Sequence, residues 1–408
     1  VNRTLLITNG RLVLPDRVLS GGEIRIENGI ISRVGKQGQH RGKPPESLLD
    51  AEGGYVLPGL IDLHCDAIEK ELEPRPEAFF DPVLAFSELE KKLAGQGITT
   101  MYHSFSFAGA EWGVRNDARA AAAIRQLADL TGYRSLIRNR VHLRFEITNR
   151  TGVDTAVSLL QENLVHLLSF MDHTPGQGQY PTLEDYRRYM EKTYHLPFDA
   201  VETIIAGKER GRLKADESIG MLSAAARTAG IPLASHDDDS MERVTLYRRY
   251  GATISEFPVN PAAARAASRY GNHVCVGAPN IVRGGSTGKG MPAVDAVAAG
   301  DARIICSDYY PPAMLQAVFK LAEAVMSLPE AVRLATLEPA RAAGLQHLGS
   351  LAEGRRGDVI VVNTRGRVPV VTHTVVGGVL VYSINYRHSK IDNLTPEEQT
   401  TGLAGNGI

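Results

Sequence analysis

A chain of 408 residues with 43% hydrophobic and 22% charged residues, 40 Gly and 21 Pro has the composition of a globular enzyme, with length for one large barrel or several domains, and this argues against extensive disorder. Its formal net charge of −1, with acidic and basic residues interspersed, gives no field suited to a nucleic-acid backbone or an anionic membrane, so an anionic ligand must be met by a local pocket. Three widely spaced cysteines, Cys65, Cys275 and Cys306, argue against a disulfide framework; with no charged-then-apolar leader and no run of about 18 apolar residues, a cytoplasmic protein is expected.

Residues 1–55 alternate short apolar pieces with turn signals: Leu5-Leu6-Ile7 before Asn9-Gly10, Glu23-Ile24-Arg25-Ile26 before Asn28-Gly29, then Ile30-Ile31. These read as hairpin strands. The same texture returns in residues 345–385, around Val359-Ile360-Val361-Val362 and between Val368 and Val381. Neither end is long enough for a core of its own, so the two are expected to combine into one small β-sandwich. Residues 386–408 read as a polar tail.

Between them, residues 56–344 carry β-like runs ending near His64, His103, Glu146, His173, His236, Glu256, Gly277 and Asp308, separated by helical stretches such as residues 116–130 and 314–327. Eight such units predict an α/β protein with a (β/α)8 TIM barrel. An open doubly wound sheet is disfavoured, because no Gly-x-Gly-x-x-Gly stretch follows the first run.

Alternate side chains of a barrel strand point inward, and barrel sites assemble at the C-terminal strand ends. Asp62, His64 and Asp66 share one face of the first run, and His142, Arg144 and Glu146 share one face of the third. Other runs finish at His173, at His236-Asp237-Asp238-Asp239 and at Asp308. Gathered carboxylates repel one another unless a cation offsets them, so a metal centre is expected from His64, Asp66, Glu146, His173, His236 and Asp308. Imidazole with carboxylate and no thiolate cluster suits zinc first, and otherwise manganese, nickel or iron, better than calcium; two divalent ions are expected. Asp238 and Asp239 read as helix-start or supporting carboxylates, and His103, His142 and His166 as interior polar residues.

The segment from Gly277 to Gly290 mixes glycine with Asn280, Arg283, Ser286 and Lys289, a setting for phosphate oxygens as well as for a flexible lid. Arg75 and Lys70 read equally as substrate-facing and as solvated.

The stretches Leu57-Pro58-Gly59-Leu60-Ile61-Asp62-Leu63-His64-Cys65-Asp66, Met171-Asp172-His173, Ala234-Ser235-His236-Asp237-Asp238, Asn280-Ile281-Val282-Arg283-Gly284-Gly285 and Ser307-Asp308-Tyr309-Tyr310-Pro311 resemble the amidohydrolase superfamily. The resemblance extends to a branch that releases pyrophosphate from ribose 1-methylphosphonate 5-triphosphate in phosphonate catabolism. It implies a barrel joined to a split sandwich, the ligand set named above, and a small phosphorylated substrate. His-x-Asp stands on the first strand where most of the superfamily has His-x-His. In this reading Asp308 and Arg283 are catalytic, Asn280, Arg283, Ser286 and Lys289 bind substrate, and the protein is a homo-oligomer, a dimer. Two alternatives are hydrolysis of a cyclic amide or deamination at the same centre, and a non-catalytic scaffold.

Overall fold

The computed structural model describes residues 3–38, 44–109, 113–178, 182–194, 198–286, 290–366 and 368–385. Lys289 and the tail from residue 386 lie outside the described residues.

Five N-terminal strands come first: β1 (Thr4–Val13), β2 (Val18–Glu27), β3 (Ile30–Lys36), β4 (Ser47–Asp50) and β5 (Tyr55–Pro58). Asn28 and Gly29 take φ of 52° and 79° in the β2–β3 turn, the left-handed pair that a tight hairpin requires. Beyond β5 the chain enters the barrel strands β6 (Leu60–Cys65), β7 (Ile98–Phe107), β8 (Arg138–Glu146), β9 (Leu167–Met171), β10 (Leu233–His236), β11 (Ala252–Glu256), β12 (His273–Gly277) and β13 (Ile304–Cys306). It returns through β14 (Val359–Asn363), β15 (Val370–Val376) and β16 (Val379–Ser383). Gly59 makes the passage from β5 to β6, where a Cβ would lie only 2.2 Å from Thr99 Oγ1.

The two chain ends combine as expected, in one continuous hydrogen-bonded mixed sheet. Its order is β16-β15-β14-β5-β1-β2-β3, with β4 added alongside β1. The join is the antiparallel pairing of β14 with β5, Val359 opposite Pro58 and Val362 opposite Tyr55. Ile7, Leu12, Ile24, Ile26, Ile31, Val56, Val359 and Val361 form its buried core. Arg138 on β8 forms an ion pair with Asp358 just before β14, tying this sheet to the barrel.

β6 to β13 form a parallel eight-stranded sheet in chain order. It closes where Asp308 N donates to His64 O at 2.9 Å and Asp66 N donates to Asp308 O at 2.9 Å. Closure therefore brings the first and last carriers of polar side chains together. Most runs end where the sequence places them, whereas β7 continues past His103 to Phe107. The reason is parity: Ser104 and Ser106 face inward, while His103 packs its ring on Phe86 and its Nε2 lies 2.8 Å from Asn139 Oδ1.

His103 and His166 are held neutral by burial, each pushed down to about 4. An unfolded histidine titrates near 6.5, so the unfolded chain takes up protons that the native one refuses between those values. Stability is then intact above that window and falls as pH drops through it, by roughly 3 kcal/mol for each group. Urea midpoints measured from pH 7.5 to 4 are expected to fall accordingly, and His103→Gln to flatten the slope. Parallel profiles for the two proteins would contradict this.

Candidate metal centre

At the C-terminal end of the barrel, His64 is buried with Nδ1 at 3.2 Å from Glu256 Oε1, and its Nε2 has no hydrogen-bond partner. Glu256 ends β11 fully buried, with Oε2 3.6 Å from Nε2 of His142. His142 lies one layer deeper, its Nε2 2.8 Å from Ser169 Oγ. The His236 ring stands 5.4 Å from that of His64, and Phe257 packs edge-on against both. Donor atoms of His64, His236 and Glu256 all lie within 4.8 Å of one another.

A second group shares His236. His173, His236 and Asp237 also bring donor atoms within 4.8 Å. His236 Nδ1 approaches Asp237 Oδ2 to 2.9 Å. Asp237, Phe257 and Asp308, which follow β10 and β11 and lie beyond β13, all adopt left-handed backbone with φ of 55°, 52° and 58°. Non-glycine residues held there cost roughly 1–3 kcal/mol each, and such strain concentrates at functional sites.

Of the residues expected from the sequence, Asp66 caps the helix Ala67–Leu72 and directs Oδ2 to Arg144 Nη1 at 3.4 Å and Arg115 Nη2 at 3.7 Å. Glu146 stands behind His173: it accepts from the His173 backbone at 3.0 Å, lies 2.8 Å from its Nδ1, and has Lys208 Nζ 3.5 Å away. Those neighbours hold its carboxyl down to about 2 against the opposing effect of burial. Glu146 thus stands against His173 and outside the two donor groups. Asp308 carries its carboxyl on the wall of the cavity, pushed up to about 7 by burial and by Asp66. Asn280 staples its own loop, donating to Met291 O at 3.2 Å and accepting from Ala293 N at 3.0 Å.

The parity of the strands misses Asp237, because it lies past the end of β10 and turns inward only through its left-handed backbone. Glu256 had a signal, since Ile254-Ser255-Glu256 places a carboxylate at a run's end. Arg144 also had one, through its alternation with His142 and Glu146. Lys208 had none, because it arrives on the helix Phe198–Arg212 between β9 and β10.

The donor set fits a divalent ion. Buried atoms without hydrogen-bond partners converge here, among them His64 Nε2, Asp66 Oδ1, His236 Nδ1 and Glu256 Oε2. Buried polar atoms are normally satisfied, so a cluster of orphans facing one another points to an absent partner. Burial also keeps His64 neutral, the form that binds metal, and pushes the neighbouring Asp62 up to about 7, a burden that a divalent ion relieves.

Beside the centre opens a cavity of about 910 Å³. Arg115, Arg144, Lys208 and Arg283 line it together with Ser286, Tyr186 and Tyr309. Tyr186 and Lys208 come from the helices Leu183–Tyr194 and Phe198–Arg212, which meet over a small core of Tyr186, Met190, Val201 and Ile205.

The profile described as amidohydrolase family matches residues 215–381. Over 373 residues the chain is 36% identical to alpha-D-ribose 1-methylphosphonate 5-triphosphate diphosphatase of Escherichia coli, covering 88% of this chain and 96% of that protein. It is 22% identical over 370 residues to adenine deaminase 1 of Carboxydothermus hydrogenoformans, covering 88% of this chain and 55% of the deaminase. Among solved structures, a triazine hydrolase variant superposes with a TM-score of 0.63 at 15% identity, over 93% of this chain and 95% of its own. N-acetylglucosamine-6-phosphate deacetylase of Pasteurella multocida superposes with a TM-score of 0.59 at 12% identity, over 92% of this chain and 98% of its own. These two are likenesses of fold.

Proposed function

The chain belongs to the amidohydrolase family, and from that membership we propose that it is a metal-dependent phosphoric-anhydride hydrolase releasing pyrophosphate from alpha-D-ribose 1-methylphosphonate 5-triphosphate. The supporting observation is the lining of the cavity, where Arg115, Arg144, Lys208 and Arg283 stand among Asp66, Asp237, Asp239 and Asp308, carboxylates whose charge a divalent ion would offset. A neutral cyclic amide or a purine needs no such array, whereas a triphosphate ionised at neutral pH needs several fixed cations. The 36% identity over most of the chain to a diphosphatase with that substrate points the same way.

His236, with His64 and Glu256 on one side and His173 and Asp237 on the other, would hold divalent metal, zinc or another first-row metal, with Asp66 adjoining. Such an ion supplies acidity, lowering the pKa of water from about 15.7 toward ~7. Asp308 orients the attacking water and takes its proton on the carboxylate. The water oxygen bonds to the phosphorus that stays on the ribose, and the bridging oxygen leaves with pyrophosphate. Arg283 and Ser286, on the cavity wall, bind the departing phosphates. Glu146 and Lys208 keep His173 in place. The three buried free cysteines fit a cytoplasmic setting.

Arg283→Ala is expected to raise KM for the triphosphate about 10–100-fold, the range of a lost charge-assisted phosphate contact of 1.5–3 kcal/mol. Steady-state kinetics on the triphosphate and on a neutral cyclic amide check this. Equal effects on both would remove the anion-binding role. Release of ammonia or a ring-opened product, with no pyrophosphate, would favour the amide or deaminase reading.

A further inference from the structure

We infer that Arg115, held in place by Glu69, is the residue that recognises the methylphosphonate ester, the end of the substrate remote from its triphosphate. The inference rests on the diphosphatase reading above. A ribose 1-methylphosphonate 5-triphosphate is anionic at both ends. Arg283 and Ser286 meet the triphosphate, and the other end needs donors of its own.

The closed sheet places such donors across the mouth from Arg283. Arg283 ends the helix Ala278–Arg283 that follows β12, whereas Arg115 lies in the turn Gly113–Arg115 after β7 and Arg144 stands on β8. β8 and β12 are four strands apart whichever way round the barrel is counted, and His64 on β6 and His236 on β10 occupy the midpoints of the two arcs. A molecule bound at Arg283 that crosses the centre therefore arrives on the side of Arg115 and Arg144. Of these two, the Arg144 side chain is 9% exposed and lies against Asp66 and His236, beside the metal centre. The Arg115 side chain is 30% exposed and opens on the cavity.

Glu69 fixes the direction of the Arg115 guanidinium. Its Oε2 accepts from Arg115 Nε at 3.1 Å and from Nη2 at 3.0 Å. Its Oε1 accepts from Ser106 Oγ at 3.3 Å, so the carboxylate is itself tied to β7. Glu69 belongs to the helix Ala67–Leu72, and Glu73, just past the end of that helix, accepts from Val114 N at 3.0 Å. Side chain and backbone of the Arg115 turn are thus both anchored to one element. Ordering an arginine on a ligand costs rotamer entropy, and this anchoring removes much of that cost in advance. The guanidinium carries five N–H donors in one plane, more than Glu69 engages through a single oxygen. The two terminal oxygens of a methylphosphonate ester share one charge and suit a planar donor of this kind.

The test compares pyrophosphate release from two triphosphates, the methylphosphonate ester and ribose 5-triphosphate itself. The wild type is expected to favour the ester in kcat/KM by about 10–100-fold, the range of a charge-assisted contact. Arg115→Met is expected to lose most of that preference, through a raised KM for the ester, whereas Arg283→Ala weakens both substrates alike and keeps the preference. Glu69→Gln, which preserves size, is expected to raise KM for the ester about 3–10-fold with kcat near wild type. The product, which retains the ester and has lost pyrophosphate, gives a readout without turnover: its Kd by calorimetry is expected to rise far more with Arg115→Met than with Arg283→Ala. A wild type indifferent to the ester would overturn the assignment, as would an Arg115→Met protein that weakens both triphosphates equally. If Arg115→Met does not fold, the wild-type preference and Glu69→Gln decide, and a Glu69→Gln protein with wild-type KM for the ester removes Glu69 from its role. Release of pyrophosphate from neither substrate by the metal-loaded wild type would overturn the diphosphatase reading itself, a result distinct from indifference between the two.

Discussion

Asp308→Asn is expected to lower kcat by about 10²–10⁴-fold, the range associated with removing a positioned general base. Metal content and melting temperature are expected to stay close to wild type. Asparagine suits this test better than alanine because Asp308 sits at φ 58°, a conformation that asparagine tolerates and β-carbon-bearing residues otherwise avoid. The barrel closure survives as well, since Asp308 makes it through backbone N and O. The amide keeps the size of the carboxylate and loses the ability to accept a proton. Activity within a few-fold of wild type would show that another group takes the proton. Loss of metal together with activity would make Asp308 a ligand first.

Replacing His236 with alanine is expected to have the larger effect on the metal. His236 is common to both donor groups, so its loss leaves each with two members. Affinity for the ion is expected to fall by at least about 100-fold, beyond the 10–100-fold typical of losing a supporting residue, and activity to fall below about a thousandth. Emission spectrometry on chelator-free protein gives the metal content, and a dichroism spectrum tests that the barrel is intact. Arg144 keeps Asp66 as a partner in this variant, so its charge is not stranded. A His236→Ala protein with full metal content would exclude both donor groups as drawn.

Period and parity carried much of this fold. Alternation along β6 and β8 placed Asp62, His64, Asp66, Arg144 and Glu146 correctly toward the interior, because a strand end at a barrel rim leaves few directions for a side chain. His103, read as an interior polar residue, is indeed buried, and it faces Phe86 and Asn139 rather than the centre. The long-range join of β5 to β14 was legible only as two similar textures.

Site residues were harder to read because their positions depend on features no local pattern encodes. Glu146 ends its strand as a ligand would, and His173 and Lys208 approach its carboxylate from outside the strand. Asp237 enters the centre through a left-handed backbone, and an aspartate after a histidine does not announce that. Arg144 was visible in sequence as one more inward polar residue. Which groups it touches, Asp66 just past β6 and His236 on β10, separated along the chain by 170 residues, shows only in the fold.

The account depends on one claim, that these distant side chains share a cation. Anomalous diffraction from a crystal grown without chelator, recorded at the absorption edge of the bound metal, tests it directly. The expected result is a peak within bonding distance of His236 and of either the His64–Glu256 pair or the His173–Asp237 pair. A metal peak elsewhere on the protein, with water alone between these residues in an active enzyme, would contradict it.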